Sequence, residues 1–403
     1  MKKVDQIIKY LLIVLCMITI AWSIKFIWQK EKWSPIDEYA HMDYIEKMSE
    51  GRMPKLQDPI SSDIFKDLIE NPERNFMPNV HTREELGMGN YSYQAKHPPM
   101  YYSFLLAPNM LMQKTGFDAF KRLKVLRLIS YLLFMLGAFI CIPIFKLLNQ
   151  KGFYTPQFYA WACVLFSLII ATHQRYGLTN NMLSPLFINA SLYLVLKYHV
   201  TYQIKFLYRF ILVAGLSLTV ALTNLFIIPF LFLYALLIYL PYFSRKTFTY
   251  CCSLLLIPAF IIIWWKLTTI PDRAFEEYLQ NLLLAVIPAN AITFKMFIDL
   301  LLNDTFQLSF INEKLDITNI YLLFLCTNIL ACILFFKSLV KQYKWILISF
   351  VVFIVFIANL YFLNRYVDRV HWVAFRNYLG FIPIIFVSCS AFIVVISKKY
   401  SKN

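Results

Sequence analysis

The sequence has few charged residues and few glycines for its length. Only 15% of its 403 residues are Asp, Glu, Lys or Arg, and only 9 are glycine. Soluble domains carry about 25% charged residues. The HExxH, GxSxG, P-loop and dinucleotide-binding motifs are also missing. These absences exclude an ordinary soluble domain and the most recognisable hydrolase and nucleotide-binding sites.

Cysteine is missing from the polar segments. All 8 cysteines lie in hydrophobic stretches, so we expect neither a disulfide framework nor a cysteine-based metal site. Asp37 and His41 have i, i+4 spacing, but no nearby side chains add the other ligands that a divalent ion needs. We therefore predict no metal site and no required cofactor, and leave a role for a divalent cation open.

Long apolar runs occupy most of the chain. Residues 7–24 are apolar apart from Lys9 near one end, and a helix of this length crosses roughly 30 Å of hydrocarbon. The candidate spans are 7–24, 126–145, 157–172, 182–196, 210–223, 225–243, 248–265, 320–336, 345–363 and 379–396. We predict an all-α polytopic membrane protein, a single integral domain over residues 1–403 with about ten transmembrane helices. We expect an uncleaved first helix and no soluble C-terminal domain.

The distribution of charge predicts the orientation. The formal net charge is +16, and Lys and Arg gather at both termini and in alternate short loops. The positive-inside rule then predicts a multi-pass protein of the cell membrane with both termini in the cytoplasm. Nucleic acid is not an expected partner, because the excess positive charge lies in the predicted cytoplasmic loops and termini and forms no basic stripe on a soluble surface. The large outer loops are residues 29–122 and 266–319, and the apolar segment 98–112 is short enough to be a juxtamembrane or re-entrant helix.

The first outer loop begins with signals for a helix. Ser34 is a good N-cap, Pro35 suits the first helical position, and Gly51 and Pro54 mark the end. The apolar positions of this helix lie on one face, which favours a helix along the membrane surface. These positions are Ala40, Tyr44, Ile45 and Met48.

Acidic and basic residues in the outer segments are the candidates for chemistry. Asp37 and Glu38 can supply a carboxylate base, although Asp37 also suits a helix-capping role. Lys96 and His97 precede a proline-initiated helix, where cationic groups and free N–H groups bind anions; the alternative is an interfacial helix with an aromatic anchor. Outer arginines suit a lipid phosphate. The alternative is ordinary headgroup contact or pairing with outer acids such as Asp368. These arginines include Arg127, Arg175 and Arg376.

Several segments in the same order resemble the bacterial GT-C-type membrane glycosyltransferases, relatives of protein O-mannosyltransferases and aminoarabinose transferases. Residues 34–44 with 51–54 resemble the first-loop pattern P-x-D-E-x-A-H-F-x-Y followed by G-x-x-P. Residues 96–102 are similar to H/K-P-P-x-Y-Y, and 180–183 to N-N-D-x-L. Residues 376–379 with Pro383 are similar to a late R-Y-x-x-P element.

The resemblance implies transfer of a sugar from a polyprenyl-phosphate donor to a lipid, glycan or protein acceptor at the outer face of the membrane. It implies a catalytic role for Asp37, with Glu38 beside it orienting the acceptor or a metal ion. The expected substrate-binding residues are His41, Lys96, His97, Arg127, Arg175, Asn180, Asn181, Arg376 and Tyr378. A transporter, flippase or polymerase of lipid-linked glycans is the alternative. The near absence of ionisable residues inside the spans favours the enzyme over the transporter.

Overall fold

The computed structural model describes residues 2–33, 38–74, 82, 85, 91–150, 158–173, 177–221, 224, 228–239, 242 and 244–269. These residues form α-helices joined by turns and short 3-10 segments. Within this part of the chain the only strand-like pairing is an isolated bridge between Pro59 and Tyr91. The predicted all-α class is confirmed for the described residues.

The helix positions follow the apolar runs of the sequence. The α-helices are α1 (Lys2–Gln29), α2 (Glu38–Ser49), α3 (Ser62–Glu70), α4 (Met100–Lys114), α5 (Ala119–Phe139), α6 (Cys141–Gln150), α7 (Phe158–His173), α8 (Ser184–Thr201), α9 (Ile204–Leu218), α10 (Ile228–Tyr239) and α11 (Arg245–Thr269). Among the described residues, each predicted span up to residue 265 overlaps one or two of these helices. The predicted spans after residue 319 lie outside the described residues, as does the second outer loop apart from its first residues.

Within the described residues, 3 helical segments are long and apolar enough to cross a membrane: Val4–Gln29, Ala119–Gln150 and Arg245–Thr269. Large apolar side chains such as Ile7 and Phe260 are exposed along the first and last of these segments. Such surfaces suit a hydrocarbon surrounding. Helices α7 to α10 are shorter, and a count of about ten spans remains a prediction.

Glycine and proline delimit the helices of the first outer loop. Gly51 has φ 80°, a left-handed conformation that ends α2 as the sequence predicts. Helix α4 begins directly after Pro99, and Gly116 follows its end with φ 77°. Asp118 then caps α5 by accepting a hydrogen bond from Lys121 N at 2.7 Å. These boundaries come from local backbone preferences.

Helix α2 differs from the helix that the sequence predicts. The pattern indicates one apolar face, yet all the residues from Glu38 to Lys47 are buried. The polar positions are buried because partners from other segments neutralise them. Arg127 pairs with Glu38, and Arg122 pairs with Glu46. The helix is therefore enclosed by protein around its first turns.

Helices α5 and α8 make a close backbone contact. A Cβ atom added at Gly137 of α5 would lie 2.5 Å from Leu186 N of α8. Nearby, Asn189 Nδ2 donates a hydrogen bond to Gly137 O at 2.8 Å. Small residues permit such close approach between apolar helices, and interhelical amides reinforce it.

Candidate functional site

Two of the segments that resemble the family motifs, residues 38–54 and 96–102, lie against each other. His41 Nδ1 is 2.8 Å from the Tyr102 hydroxyl, although the two residues are 61 positions apart. The Tyr44 hydroxyl donates to His97 O at 3.2 Å. The rings of Tyr44 and Tyr102 are stacked, with centroids 3.7 Å apart. The start of α4 and the middle of α2 thus form one packed aromatic unit.

The predicted binding residues in this unit differ in burial. His41 is buried, whereas Lys96 and His97 are half-buried. The rings of His41 and His97 are near parallel, with centroids 6.1 Å apart. Lys96 Nζ lies 5.5 Å from the centroid of the Tyr93 ring. Lys96 and His97 therefore have the better access for a bound anion, and His41 supports the packing beneath them.

Glu38 and Arg127 form a fully buried ion pair. Arg127 Nε donates to Glu38 Oε1 at 2.7 Å and Arg127 Nη2 donates to Oε2 at 2.5 Å. The guanidinium also donates to the carbonyl oxygens of Lys30 and Lys32, at 3.3 and 2.8 Å. Leu178 N–H completes the site by donating to Glu38 Oε1 at 2.9 Å. The pair thus joins the end of α1, the start of α2, α5 and the segment before α8.

The electrostatics of this pair limit its chemistry. Burial by itself raises the pKa of Glu38, but the charges of Arg127 and Lys30 and the hydrogen bonds from Arg127 and Leu178 N–H lower it to about 2. A carboxylate with so low a pKa is a poor proton acceptor. Most of the guanidinium N–H groups are directed at protein oxygens. This geometry favours an anchoring role for both residues over contact with an acceptor, a metal ion or a phosphate.

The predicted asparagine pair joins the same assembly. Asn180 and Asn181 are buried in a short 3-10 helix, Asn180–Met182. Asn180 Nδ2 donates to Val220 O at 3.4 Å. Leu178, just ahead of this helix, is the residue bonded to Glu38. The third motif segment is thereby tied to the first.

Asp37, Arg175, Arg376 and Tyr378 lie outside the described residues. Asp37 directly precedes Glu38 in the chain, and its predicted role as the base remains a prediction. Among the described residues no group of three or more His, Cys, Asp or Glu side chains could hold a metal ion.

Helix α2 has two further buried ion pairs, which the sequence analysis does not predict. Lys47 Nζ donates to Asp43 Oδ2 at 2.7 Å and to Pro59 O at 2.8 Å. Ser92 hydrogen-bonds both charged groups, and Ser61 N and Oγ donate to Asp43 Oδ1 at 2.7 and 2.6 Å. The i, i+4 spacing of Asp43 and Lys47 was a signal for this pair.

The second pair joins α2 to α5. Arg122 Nη2 donates to Glu46 Oε1 at 2.8 Å, and Gln113 also hydrogen-bonds the carboxylate. Burial raises the pKa of Glu46, and the charge and hydrogen bonds of Arg122 only partly oppose this shift. Glu46 and Arg122 are 76 positions apart, so no local pattern could reveal their contact.

Comparison with protein-family models, with curated proteins and with solved structures finds no match to this chain.

Proposed function

We propose that this chain is a membrane glycosyltransferase of the GT-C type, which moves a sugar from a polyprenyl-phosphate donor to an acceptor at the outer face of the membrane. The observation that supports the proposal best is the convergence of the three described motif segments. His41 contacts Tyr102, and Tyr44 contacts His97. Glu38 contacts Leu178, which lies two residues ahead of Asn180. Separate motifs that form one connected unit are typical of a functional site.

The site residues divide into a base and a phosphate-binding group. Asp37 is the proposed base, which takes the proton from the acceptor as the sugar is transferred with inversion. The departing lipid phosphate is already anionic, so it needs positive charge more than a proton. Lys96 is the proposed phosphate ligand among the described residues, and Arg175 and Arg376 are proposed to join it. Glu38 and Arg127 hold the loop that carries Asp37.

The proposed arrangement in the membrane has about ten spans, with both termini in the cytoplasm and the loops 29–122 and 266–319 outside. The alternating Lys and Arg distribution and the apolar helices α1, α5 with α6, and α11 support it. The first outer loop then faces the side on which the lipid-linked donor is consumed.

The test is the substitution Asp37→Asn in proteoliposomes that contain polyprenyl-phosphate sugars extracted from cell membranes. We expect the protein to fold and sugar transfer to fall by roughly 10²–10⁴-fold, because an amide cannot accept the proton. Asp63→Asn is the matched control, because the Asp63 side chain is 76% exposed in the same loop. It should leave transfer unchanged.

Near wild-type transfer by Asp37→Asn would remove Asp37 from the mechanism. The absence of any sugar transfer by the wild-type protein would refute the proposed function itself.

A further inference from the structure

Trp265 connects α11 to the segment that contains Lys96. It is fully buried near the end of α11. Its Nε1–H donates to Ala95 O at 3.1 Å, across 170 positions of sequence. Ala95 is also fully buried, so the carbonyl depends on a protein donor for its hydrogen bond.

Helix α2 supports the other side of Lys96. The Tyr44 hydroxyl donates to His97 O at 3.2 Å. Burial raises the pKa of Tyr44 well above its usual value, so this hydroxyl remains a donor at neutral pH. The carbonyl groups on both sides of Lys96 are therefore held, one by Trp265 and the other by Tyr44.

A second contact reinforces this connection at the end of α11. Leu56 N of the first outer loop donates to Thr269 O at 3.3 Å. Thr269 Oγ1 in turn donates to Trp265 O at 2.6 Å. The last turn of α11 is thus bonded to two separate stretches of the first loop. Residues 270–319, the rest of the second outer loop, follow this turn in the sequence.

We infer that Trp265 is a positioning residue: its indole N–H fixes the backbone at Ala95 so that Lys96 is preorganised for an anionic phosphate. The inference rests on the proposed function, in which Lys96 binds the donor phosphate. A preorganised ammonium group loses less conformational freedom when the ligand binds, and so binds it more tightly. The residue also links phosphate binding to α11, from which the second outer loop emerges.

The test uses the full-length protein in lipid nanodiscs, with polyprenyl phosphate as the probe. Trp265→Phe keeps an aromatic ring and removes only the indole N–H donor and some volume. Without this hydrogen bond the backbone at Ala95 has to be ordered when the ligand binds, and we expect the Kd for polyprenyl phosphate to rise about tenfold. Trp264→Phe is the matched control, because Trp264 is 42% exposed on the same helix. Its Kd should equal that of the wild type.

A double-mutant cycle that combines Trp265→Phe with Lys96→Ala separates a positioning role of Trp265 from a general structural role. In the Lys96→Ala background, Trp265→Phe should not weaken phosphate binding further, because the residue that it positions is gone. Amide hydrogen exchange provides a readout without ligand. In Trp265→Phe we expect exchange over residues 92–100 to rise about tenfold and exchange in α5 to stay unchanged.

Equal losses of phosphate affinity with and without Lys96 would overturn the inference, as would unchanged exchange over residues 92–100. Wild-type protein that does not bind polyprenyl phosphate refutes the proposed function and the phosphate part of this inference together. Equal affinity losses in the presence of wild-type binding refute the inference alone.

Discussion

The substitution Glu38→Gln probes the buried ion pair that holds α2 to the rest of the molecule. Gln is nearly isosteric with Glu, but it removes the negative charge. It also turns an NH2 group toward one of the two guanidinium donors of Arg127. The Arg127 side chain is fully buried, so its charge is left with neutral acceptors alone: the amide oxygen and the carbonyl oxygens of Lys30 and Lys32.

The lowered pKa of Glu38 indicates how much unfolding free energy the substitution Glu38→Gln removes. The pKa of Glu38 is lowered from 4.5 to about 2. By proton linkage this difference corresponds to about 3 kcal/mol of unfolding free energy at neutral pH. Removing one partner of a buried pair costs roughly 3–5 kcal/mol in other proteins. We therefore expect Glu38→Gln to lower the free energy of unfolding by about 3 kcal/mol at pH 7.

The sign of the pH dependence follows from the lowered pKa. The contribution of Glu38 is fully present above pH 4.5, the pKa of the unfolded chain, and is lost as the pH falls toward 2. The difference between the wild type and Glu38→Gln should therefore be constant from pH 8 to about pH 5.5 and shrink below about pH 4.5. The measurement is unfolding in mixed detergent micelles by titration with sodium dodecyl sulfate.

Two controls test the reasoning. Glu50→Gln removes an acid in an ion pair whose Glu50 side chain is 53% exposed, and it should change stability by roughly 0.5 kcal/mol or less. The double variant Glu38→Gln/Arg127→Met should be less destabilised than the sum of its parts, because no buried charge is left without a partner. A Glu38→Gln protein as stable as the wild type at pH 7 would refute the ion-pair argument.

Two other substitutions test the packing. Lys47→Met should lower the free energy of unfolding by about 3 kcal/mol in the same assay, because it leaves the buried Asp43 carboxylate without its cation. Lys66→Met, at an exposed ion pair, is the control, and equal stability of both variants would contradict the expectation. Gly137→Ala should lower the free energy of unfolding by about 1–3 kcal/mol, because the added Cβ meets the backbone of α8 at Leu186 and α5 must move away. Leu136→Ala, at an exposed position on α5, is the control, and a fully stable Gly137→Ala would show that the two helices are not in close contact.

The sequence by itself determined where the long apolar helices lie and two of the helix ends in the first outer loop. Apolar runs long enough for a membrane predict α1, α5 and α11, because a helix satisfies its own backbone hydrogen bonds wherever its surroundings are apolar. Gly51 and Pro99 mark the end of α2 and the start of α4 through local backbone geometry. Such signals act within a few residues and can be read directly from the sequence.

Only the tertiary structure decided what the polar residues do. Glu38 looks like a catalytic neighbour of Asp37 in the sequence, but its buried contact with Arg127, 89 positions away, favours an anchoring role. Trp265 has no local pattern that distinguishes it from Trp264, yet its contact with Ala95 spans 170 positions. A buried charge or donor needs a partner, and which partner meets it depends on how the helices pack. Those pairings are properties of the assembled fold, because no local rule relates residues so far apart along the chain.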